Sequence, residues 1–250
     1  MKLSILLSLC LVGFLTSTVR AEPLKAAAPT AESLVLIPEL ACTYETTVLP
    51  KVPGAMETRA PWRMWRSSRE VEIHKVGSKD GEAFALDGAG GVMVFRILHP
   101  ERSEVFFNAM EVRILGGHPD WNQCCSVVSK NFLIKNLARV GEEVYLDRPV
   151  ERFTGEVEKN KWTVLWSEKD SLAVSVMIEN DTFTARSELR ECYALKDAPW
   201  ERLRSRGYRV VPYTELGDND TDPAMKRLMS RMGIACSHKG CGPVCLTPQP

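Results

Sequence analysis

Residues 150–193 read VERFTGEVEKNKWTVLWSEKDSLAVSVMIENDTFTARSELRECY, and their pattern sets the fold class. Short runs in which apolar and polar residues alternate are separated by polar turns, which predicts four strands. The runs are Val150–Thr154, Trp162–Trp166, Ala173–Ile178 and Phe183–Tyr193. Turns this short join strands in antiparallel order, so the stretch predicts a meander.

More strands are predicted on either side of this meander. They are Leu40–Leu49, Trp62–Lys75, Ala83–Leu86, Val92–Leu98, Glu104–Asn108, Glu111–Leu115, Val144–Leu146 and Tyr208–Tyr213. The strongest hairpin signal is the glycine-rich turn at residues 87–91, which lies between two of these runs.

Two helices interrupt the strand series. Residues 119–139 place apolar side chains at helical spacing, at Trp121, Cys125, Val128 and Phe132. Pro119 suits a first helical turn, and Gly141 follows the end. A second helix is predicted to begin at Pro223, with Asp222 as its cap.

Residues 1–21 are predicted to be an export signal. Lys2 precedes the apolar run Leu3–Thr16, and Val19 and Ala21 are the small residues expected before a cleavage site. The run is short for a membrane span, and the alternative is an anchor helix that stays attached. The mature protein, cleaved near Ala21, is therefore expected to be periplasmic or secreted, with no integral membrane span.

The rest of the chain divides into three parts by composition. Residues 22–39 are a flexible lead-in, residues 40–234 a single β-rich domain, and residues 235–250 a Cys-rich tail. Without residues 1–21 the chain has two more acidic than basic residues, so no nucleic-acid partner is expected.

One local basic stretch stands out against this balance. It consists of Arg59, Arg63, Arg66 and Arg69 around Trp62 and Trp65. It indicates either the solvated face of a strand or a surface for an anionic partner.

Seven cysteines follow the signal, and most should form disulfides in an oxidising compartment. The candidates are Cys42, Cys124, Cys125, Cys192, Cys236, Cys241 and Cys245. A bond between the neighbours Cys124 and Cys125 is strained, so pairing each with a different partner, such as Cys42, Cys192 or the tail, is easier to accommodate. An odd number leaves at least one thiol free or shared between chains.

The tail has a second interpretation, a soft-metal or thiol-redox site. Thiolate, imidazole and thioether groups suit Cu or Zn, and the tail supplies them at Cys236, His238, Cys241, Cys245 and Met229. The cysteine spacing matches no established metal motif, and structural disulfides are the simpler expectation. The main prediction is therefore a protein without a cofactor.

No catalytic motif is found in the sequence. A Gly-x-Ser-x-Gly elbow and a His-Glu-x-x-His helix are both absent from the sequence. His74, His99 and His118 are expected to be ordinary rather than catalytic histidines. Residues 218–222 place carboxylates at alternate positions, which fits a calcium loop or, more simply, a turn that caps the following helix.

Three blocks of sequence resemble a family of exported bacterial proteins. They are Trp65-Arg66 with Val71-Glu72 and the Phe84 and Phe95 hairpin; Glu151-Arg152-Phe153-Thr154-Gly155 with Trp162 and Trp166; and Leu216-Gly217-Asp218 with Asp222-Pro223. The middle block also resembles, more distantly, the lipoprotein-carrier and sigma-regulator sensor proteins of the periplasm. In one departure, Ser171-Leu172-Ala173 stands where Leu-Pro is expected.

The resemblance implies a fold and a binding role. Those proteins form a curved antiparallel half-barrel whose concave face is closed by helices and binds acyl chains or lipidated partners. The expected fold is α+β, a curved antiparallel β-sheet with two or three helices packed on one face. The expected function is non-enzymatic, chaperone-like binding of a lipid, a lipidated envelope protein or a partner segment. The residues expected to line the apolar face, or else to fill an ordinary core, are Trp62, Trp65, Phe84, Phe95, Phe153, Trp162 and Trp166.

Overall fold

The computed structural model describes residues 37–202, 204, 207–218, 223 and 226–227. Twelve strands lie within these residues: β1 (Leu40–Pro50), β2 (Thr58–Arg66), β3 (Glu70–Lys75), β4 (Asp80–Leu86), β5 (Val92–Leu98), β6 (Ser103–Phe107), β7 (Ala138–Tyr145), β8 (Arg148–Val157), β9 (Asn160–Ser167), β10 (Leu172–Glu179), β11 (Phe183–Ala194) and β12 (Arg209–Pro212). They form one open sheet in the order β12-β6-β5-β4-β3-β2-β1-β11-β10-β9-β8-β7.

Two meanders make up this sheet. Strands β1 to β6 pair in sequence, strands β7 to β11 pair in sequence, and the pair β1–β11 joins the two halves. This confirms the predicted meander over residues 150–193 and the hairpin at residues 87–91, where Leu86 lies opposite Val92.

The expectation of a purely antiparallel sheet is wrong at one edge. Strand β12 runs parallel to β6, with Arg209 opposite Ser103. A parallel neighbour needs a crossover connection. The chain leaves β11 in the middle of the sheet and reaches β12 at its edge, and the described residues between them, 195–202, 204 and 207–208, cross one face of the sheet.

Four α-helical segments lie within the described residues. They are α1 (Ala109–Ile114), α2 (Trp121–Ser126), α3 (Lys130–Asn136) and α4 (Glu215–Asp218). Helix α1 replaces the strand predicted at Glu111–Leu115. The reason is a capping box in which the Asn108 side chain accepts from the Glu111 N–H and the Glu111 carboxylate accepts from the Asn108 N–H.

The single helix predicted over residues 119–139 is also wrong, because the segment forms α2 and α3 separately. Val127 between them has φ 69°, outside the helical region, and Asp120 and Ser129 each cap the helix that follows. The chain is extended again at Leu137. The strand predicted at Trp62–Lys75 is likewise two strands, β2 and β3, since the Ser67 N–H donates to the carbonyl of Glu70 across a turn.

The sheet is strongly curved, as expected. Helix α2 has only six residues, yet it contacts both β4 and β10. These strands are five positions apart in the sheet, a distance of about 24 Å if the sheet were flat. One short helix reaches both only because the sheet curls around it.

Strand register divides the curved sheet into two faces. Directly opposed residues share a face, and residues alternate along a strand. The inner face carries Trp62, Met64 and Phe84 and packs against α2, whereas the outer face carries Arg63, Trp65 and Phe95. By the same register α1 and α3 also pack on the inner face, next to Phe107 and Phe153. The predicted helical layer on one face is therefore confirmed.

One disulfide is present among the described cysteines. Cys42 on β1 and Cys192 on β11 are register partners and are bonded. Cys124 and Cys125 on α2 have free thiols among the described residues, so neither pairs with Cys42 or Cys192. The third option, pairing with the tail cysteines, lies outside the described residues and stays a prediction.

Several predicted segments lie outside the described residues. They are the export signal 1–21, the lead-in over residues 22–36, most of the helix predicted from Pro223, and the tail 235–250.

Candidate functional site

The inner face gathers five of the seven predicted aromatic side chains. Trp62 and Phe84 belong to the central buried cluster under α2. Phe153 and Trp166 belong to a second buried cluster under α3, and Trp162 packs against that cluster. The inner face therefore presents two groups of aromatic side chains to the helices, one under α2 and one under α3.

Trp65 and Phe95 lie on the outer face instead. Trp65 is three residues after Trp62 on β2, and an odd spacing reverses the face. Phe95 lies opposite Ala83, one position out of register with Phe84. Trp65 contacts Trp200 edge to face, and Phe95 packs beside Phe106.

Helix α3 covers the inner face with one buried row of side chains. Leu133 is fully buried, and the Phe132 ring lies 5.1 Å from the Trp162 ring. Lys130, in the first turn, donates to Glu151 at 2.6 Å and lies over the Phe153 ring. On the opposite side of α3, Ile134 is 66% exposed.

Two buried indole groups under the helical layer have no hydrogen-bond partner among the described residues. They are the Nε1 groups of Trp121 on α2 and Trp162 on β9. By contrast, Trp62 Nε1 donates to Thr46 Oγ1 at 2.9 Å. A buried donor without an acceptor is costly and rare in native proteins, so these two groups mark places where a polar atom of a ligand or a water molecule would be stabilising.

The guanidinium of Arg66 links helix α2 to the sheet by hydrogen bonds. It is fully buried and donates to four carbonyl oxygens, from residues before β1, in α2 and in the β9–β10 turn. The acceptors are Pro38, Cys125, Asp170 and Ser171. Burial lowers the pKa of Arg66, but the four carbonyl dipoles compensate the charge.

The two free thiols belong to α2, where Cys125 is buried and Cys124 is partly exposed. Burial raises the pKa of Cys125 to about 12 and raises the pKa of Cys124 further. Both are therefore neutral at physiological pH and are poor nucleophiles and poor metal ligands.

The crossing segment, described at residues 195–202, 204 and 207–208, lies on the outer face. Arg202 pairs with Glu72 at 2.8 Å, and Arg204 pairs with Glu104 at 2.7 Å. Glu72 and Glu104 are themselves buried, so Arg202 and Arg204 neutralise the charge of two buried carboxylates.

The described residues contain no group of three or more His, Cys, Asp or Glu side chains that could hold a metal ion. The alternative metal site, with Met229, Cys236, His238, Cys241 and Cys245, lies outside the described residues and stays a prediction.

No family model matches the chain, and no curated protein matches its sequence. Several solved structures resemble it. PNGF-II has a TM-score of 0.37 at 11% identity, over 68% of this chain and 31% of that chain. MucB, in the MucA/MucB complex of Pseudomonas aeruginosa, has a TM-score of 0.34 at 14% identity, over 68% of this chain and 56% of that one.

A LolA superfamily protein from Nitrosomonas europaea has a TM-score of 0.31 at 8% identity, over 65% of this chain and 88% of that one. A LolA superfamily protein and MucB are thus among the solved structures to which the chain is similar. This chain spans about a third of PNGF-II and little more than half of MucB. The function proposed below therefore rests on the geometry of the chain itself.

No helix in the described part of the chain has the length and apolar character needed to cross a membrane.

Three residues, Arg66, Trp121 and Trp200, were not predicted to be site residues from the sequence. Arg66 had a readable signal, because Trp62, Met64 and Arg66 alternate onto one apolar face, where a lone arginine must find buried acceptors. Trp121 was assigned to a helix face, but its unpaired indole group depends on tertiary packing. Trp200 lies in the crossover, and its contacts with β2 depend on the strand order.

Proposed function

We propose that this protein is a non-enzymatic binding protein that holds an apolar ligand between its inner face and the helical layer of α2 and α3. The ligand class that fits best is an acyl chain, either of a free lipid or of a lipidated envelope protein.

The observation that carries this proposal is the pair of unpaired indole groups under a thin helical layer. The surrounding side chains are apolar and aromatic, so the lining suits a hydrocarbon chain, and the two indole N–H groups suit a carboxyl or ester oxygen. Helices α2 and α3 have six and seven residues and meet at Val127, whose positive φ is unfavourable for a β-branched side chain. A cover made of two short, separate helices moves at lower cost than one long helix packed as a unit.

Direct ligand detection tests the proposal. Protein purified from the cell envelope is examined by native mass spectrometry for a co-purified acyl ligand. Delipidated protein is then titrated with the fluorescent fatty acid cis-parinaric acid. We expect a mass adduct of lipid size and a saturable rise in fluorescence.

Two variants on α3 provide a matched comparison. Phe132→Asn removes the ring that faces Trp162, whereas Ile134→Asn changes an exposed side chain on the same helix. Phe132→Asn should weaken cis-parinaric acid binding by about tenfold, the effect of one aromatic contact, and Ile134→Asn should leave it unchanged. The proposal fails if the wild type shows neither co-purified lipid nor saturable binding.

We propose a periplasmic location for this binding role. The support is the signal-like sequence of residues 1–21 together with the Cys42–Cys192 disulfide, a bond that persists in oxidising compartments. N-terminal sequencing of the exported protein should begin at Glu22. A mature chain that keeps Met1 would contradict cleavage.

A further inference from the structure

The buried polar groups without partners are concentrated on the outer face. Six buried side-chain nitrogens among the described residues lack a hydrogen-bond partner, and two of them are the indoles under the helical layer. The other four are Arg63 Nε, His74 Nδ1, His99 Nε2 and Trp200 Nε1.

These four side chains follow one another in direct contact. Arg63 on β2 lies opposite His74 on β3, and its guanidinium carbon lies 4.7 Å from the Trp200 ring centre. The His74 and His99 rings are 5.1 Å apart, edge to face. One row of nitrogens therefore runs from the crossover segment to the end of β5.

His74 is the most buried member of this row, with 7% of its surface exposed. It lies opposite Gly81, and a Cβ at that position would be 3.4 Å from His74 Nδ1. A Cβ there would also be 3.3 Å from the Ile73 carbonyl oxygen, so the absence of a side chain at Gly81 avoids crowding His74 Nδ1.

All four groups can act as hydrogen-bond donors. Arg63 Nε and Trp200 Nε1 have no other role. His99 Nδ1 lies 2.8 Å from the Tyr208 hydroxyl, and when that hydroxyl donates, the proton of neutral His99 is on Nε2. A row of donors without acceptors is complementary to an oxyanion.

The ion pairs of the nearby arginines also favour an anion at Arg63. The basic side chains of the crossing segment, Arg202 and Arg204, are paired with glutamates. Arg63, among the described residues, has no ion pair, and its guanidinium lies over the face of Trp200. Its positive charge is therefore available to a ligand.

We propose that Arg63, His74, His99 and Trp200 form an anion-binding site on the outer face, which takes a phosphate or carboxylate group. This assigns a specific place to the anionic partner that the basic stretch around Arg63 suggests. The site lies on the opposite face from the proposed apolar site. Failure of the phosphate test would therefore leave the apolar-ligand proposal intact, and failure of the lipid test would leave this one intact.

Inorganic phosphate is the first probe. Thermal unfolding of the full chain is followed as phosphate replaces chloride at constant ionic strength. A ligand that binds the folded state raises the melting temperature in a saturable way. Imidazole C–H signals in proton NMR report the same titration locally, and those of His74 and His99 should move while that of the exposed His118 stays in place.

Two variants on β2 separate the site from general electrostatics. Arg59 and Arg63 are four residues apart on the same face of β2, but Arg59 pairs with Glu57. Arg63→Gln should weaken phosphate binding by about tenfold or more, the loss expected for a charged hydrogen-bond donor, whereas Arg59→Gln should leave it unchanged. If Arg63→Gln does not fold, the NMR titration of the wild type decides alone.

Vesicles distinguish the two sources of the anion. Sedimentation with phosphatidylglycerol vesicles that Arg63→Gln abolishes would assign the site to a lipid headgroup. Stabilisation by phosphate without vesicle binding would assign it to a soluble anion. The proposal is overturned if the wild type shows no saturable response to phosphate, or if Arg63→Gln keeps the full response.

Discussion

The guanidinium of Arg66 donates a 2.7 Å hydrogen bond to the carbonyl oxygen of Cys125, so strand β2 holds the C-terminal end of α2 directly. Arg66→Met keeps the length of the side chain but leaves four buried carbonyls without this donor. We expect a loss of about 3 kcal/mol or more in the free energy of unfolding, measured by urea titration. Arg190→Met is the control, because Arg190 pairs with Glu45 on the surface and should cost less than about 1 kcal/mol. Equal losses for the two variants would contradict a fastening role for Arg66.

The Cys42–Cys192 disulfide closes a loop of 150 residues and should contribute strongly to stability. Replacing both cysteines with alanine should lower the free energy of unfolding by about 3 to 5 kcal/mol, because the unfolded chain regains the freedom that the bond removes. Chemical denaturation with and without a reductant checks this. The reductant should destabilise the wild type and have little effect on the double variant. A wild type that is insensitive to reduction would contradict the prediction.

The thiols of Cys124 and Cys125 should be inert in the folded protein. Burial raises the pKa of Cys125 to about 12, so almost no thiolate is present at pH 8. A variant with serine at the three tail cysteines isolates this pair for Ellman's reagent. We expect slow reaction in buffer and rapid reaction of two thiols in urea. Adding Ile134→Cys supplies an exposed thiol that should react at once, and equally fast reaction of the native pair would contradict its burial.

Stability should fall in mild acid because of His74. Burial, together with the neighbouring His99 and Arg63, lowers the pKa of His74 from 6.5 to about 4. The unfolded chain takes up this proton near pH 6.5 and the folded chain resists it, so protons favour unfolding as the pH falls from 6.5 toward 4. The full shift corresponds to about 3 kcal/mol.

Urea unfolding in chloride buffers measures this loss. The buffers run from pH 4 to pH 7, so that they cover both the folded-state and the unfolded-state pKa of His74. His74→Gln should flatten the profile over this range, and His118→Gln, which changes an exposed side chain, should not. An unchanged profile in His74→Gln would assign the acid sensitivity to other groups.

Local patterns were sufficient to predict most strands. The hairpin at residues 87–91 and the meander over residues 150–193 follow from alternation and short turns, which are properties of neighbouring residues. The helix α1 also had a local signal, since Asn108 and Glu111 have the spacing of a capping box, but the apolar residues at 112 and 114 favoured a strand.

Strand order and face assignment were harder to predict. The parallel pair β12–β6 joins residues about a hundred positions apart, and no local pattern encodes that pairing. The separation of Trp62 from Trp65 was readable, because alternation places residues three apart on opposite faces. The row from Arg63 to His99 depends on which strands become neighbours, so only the basic stretch at its start was visible in the sequence.

The pairing of β1 with β11 has a consequence for how the chain reaches its native state. Every other antiparallel pair forms between strands adjacent in sequence, a step with a short loop to close and therefore a fast one. The β1–β11 pair instead joins segments far apart in the chain, as does the parallel pair β12–β6, and Cys42 and Cys192 lie on β1 and β11. Because the bond can form only after these two strands come together, oxidation of Cys42 and Cys192 reports that the two halves of the sheet have met.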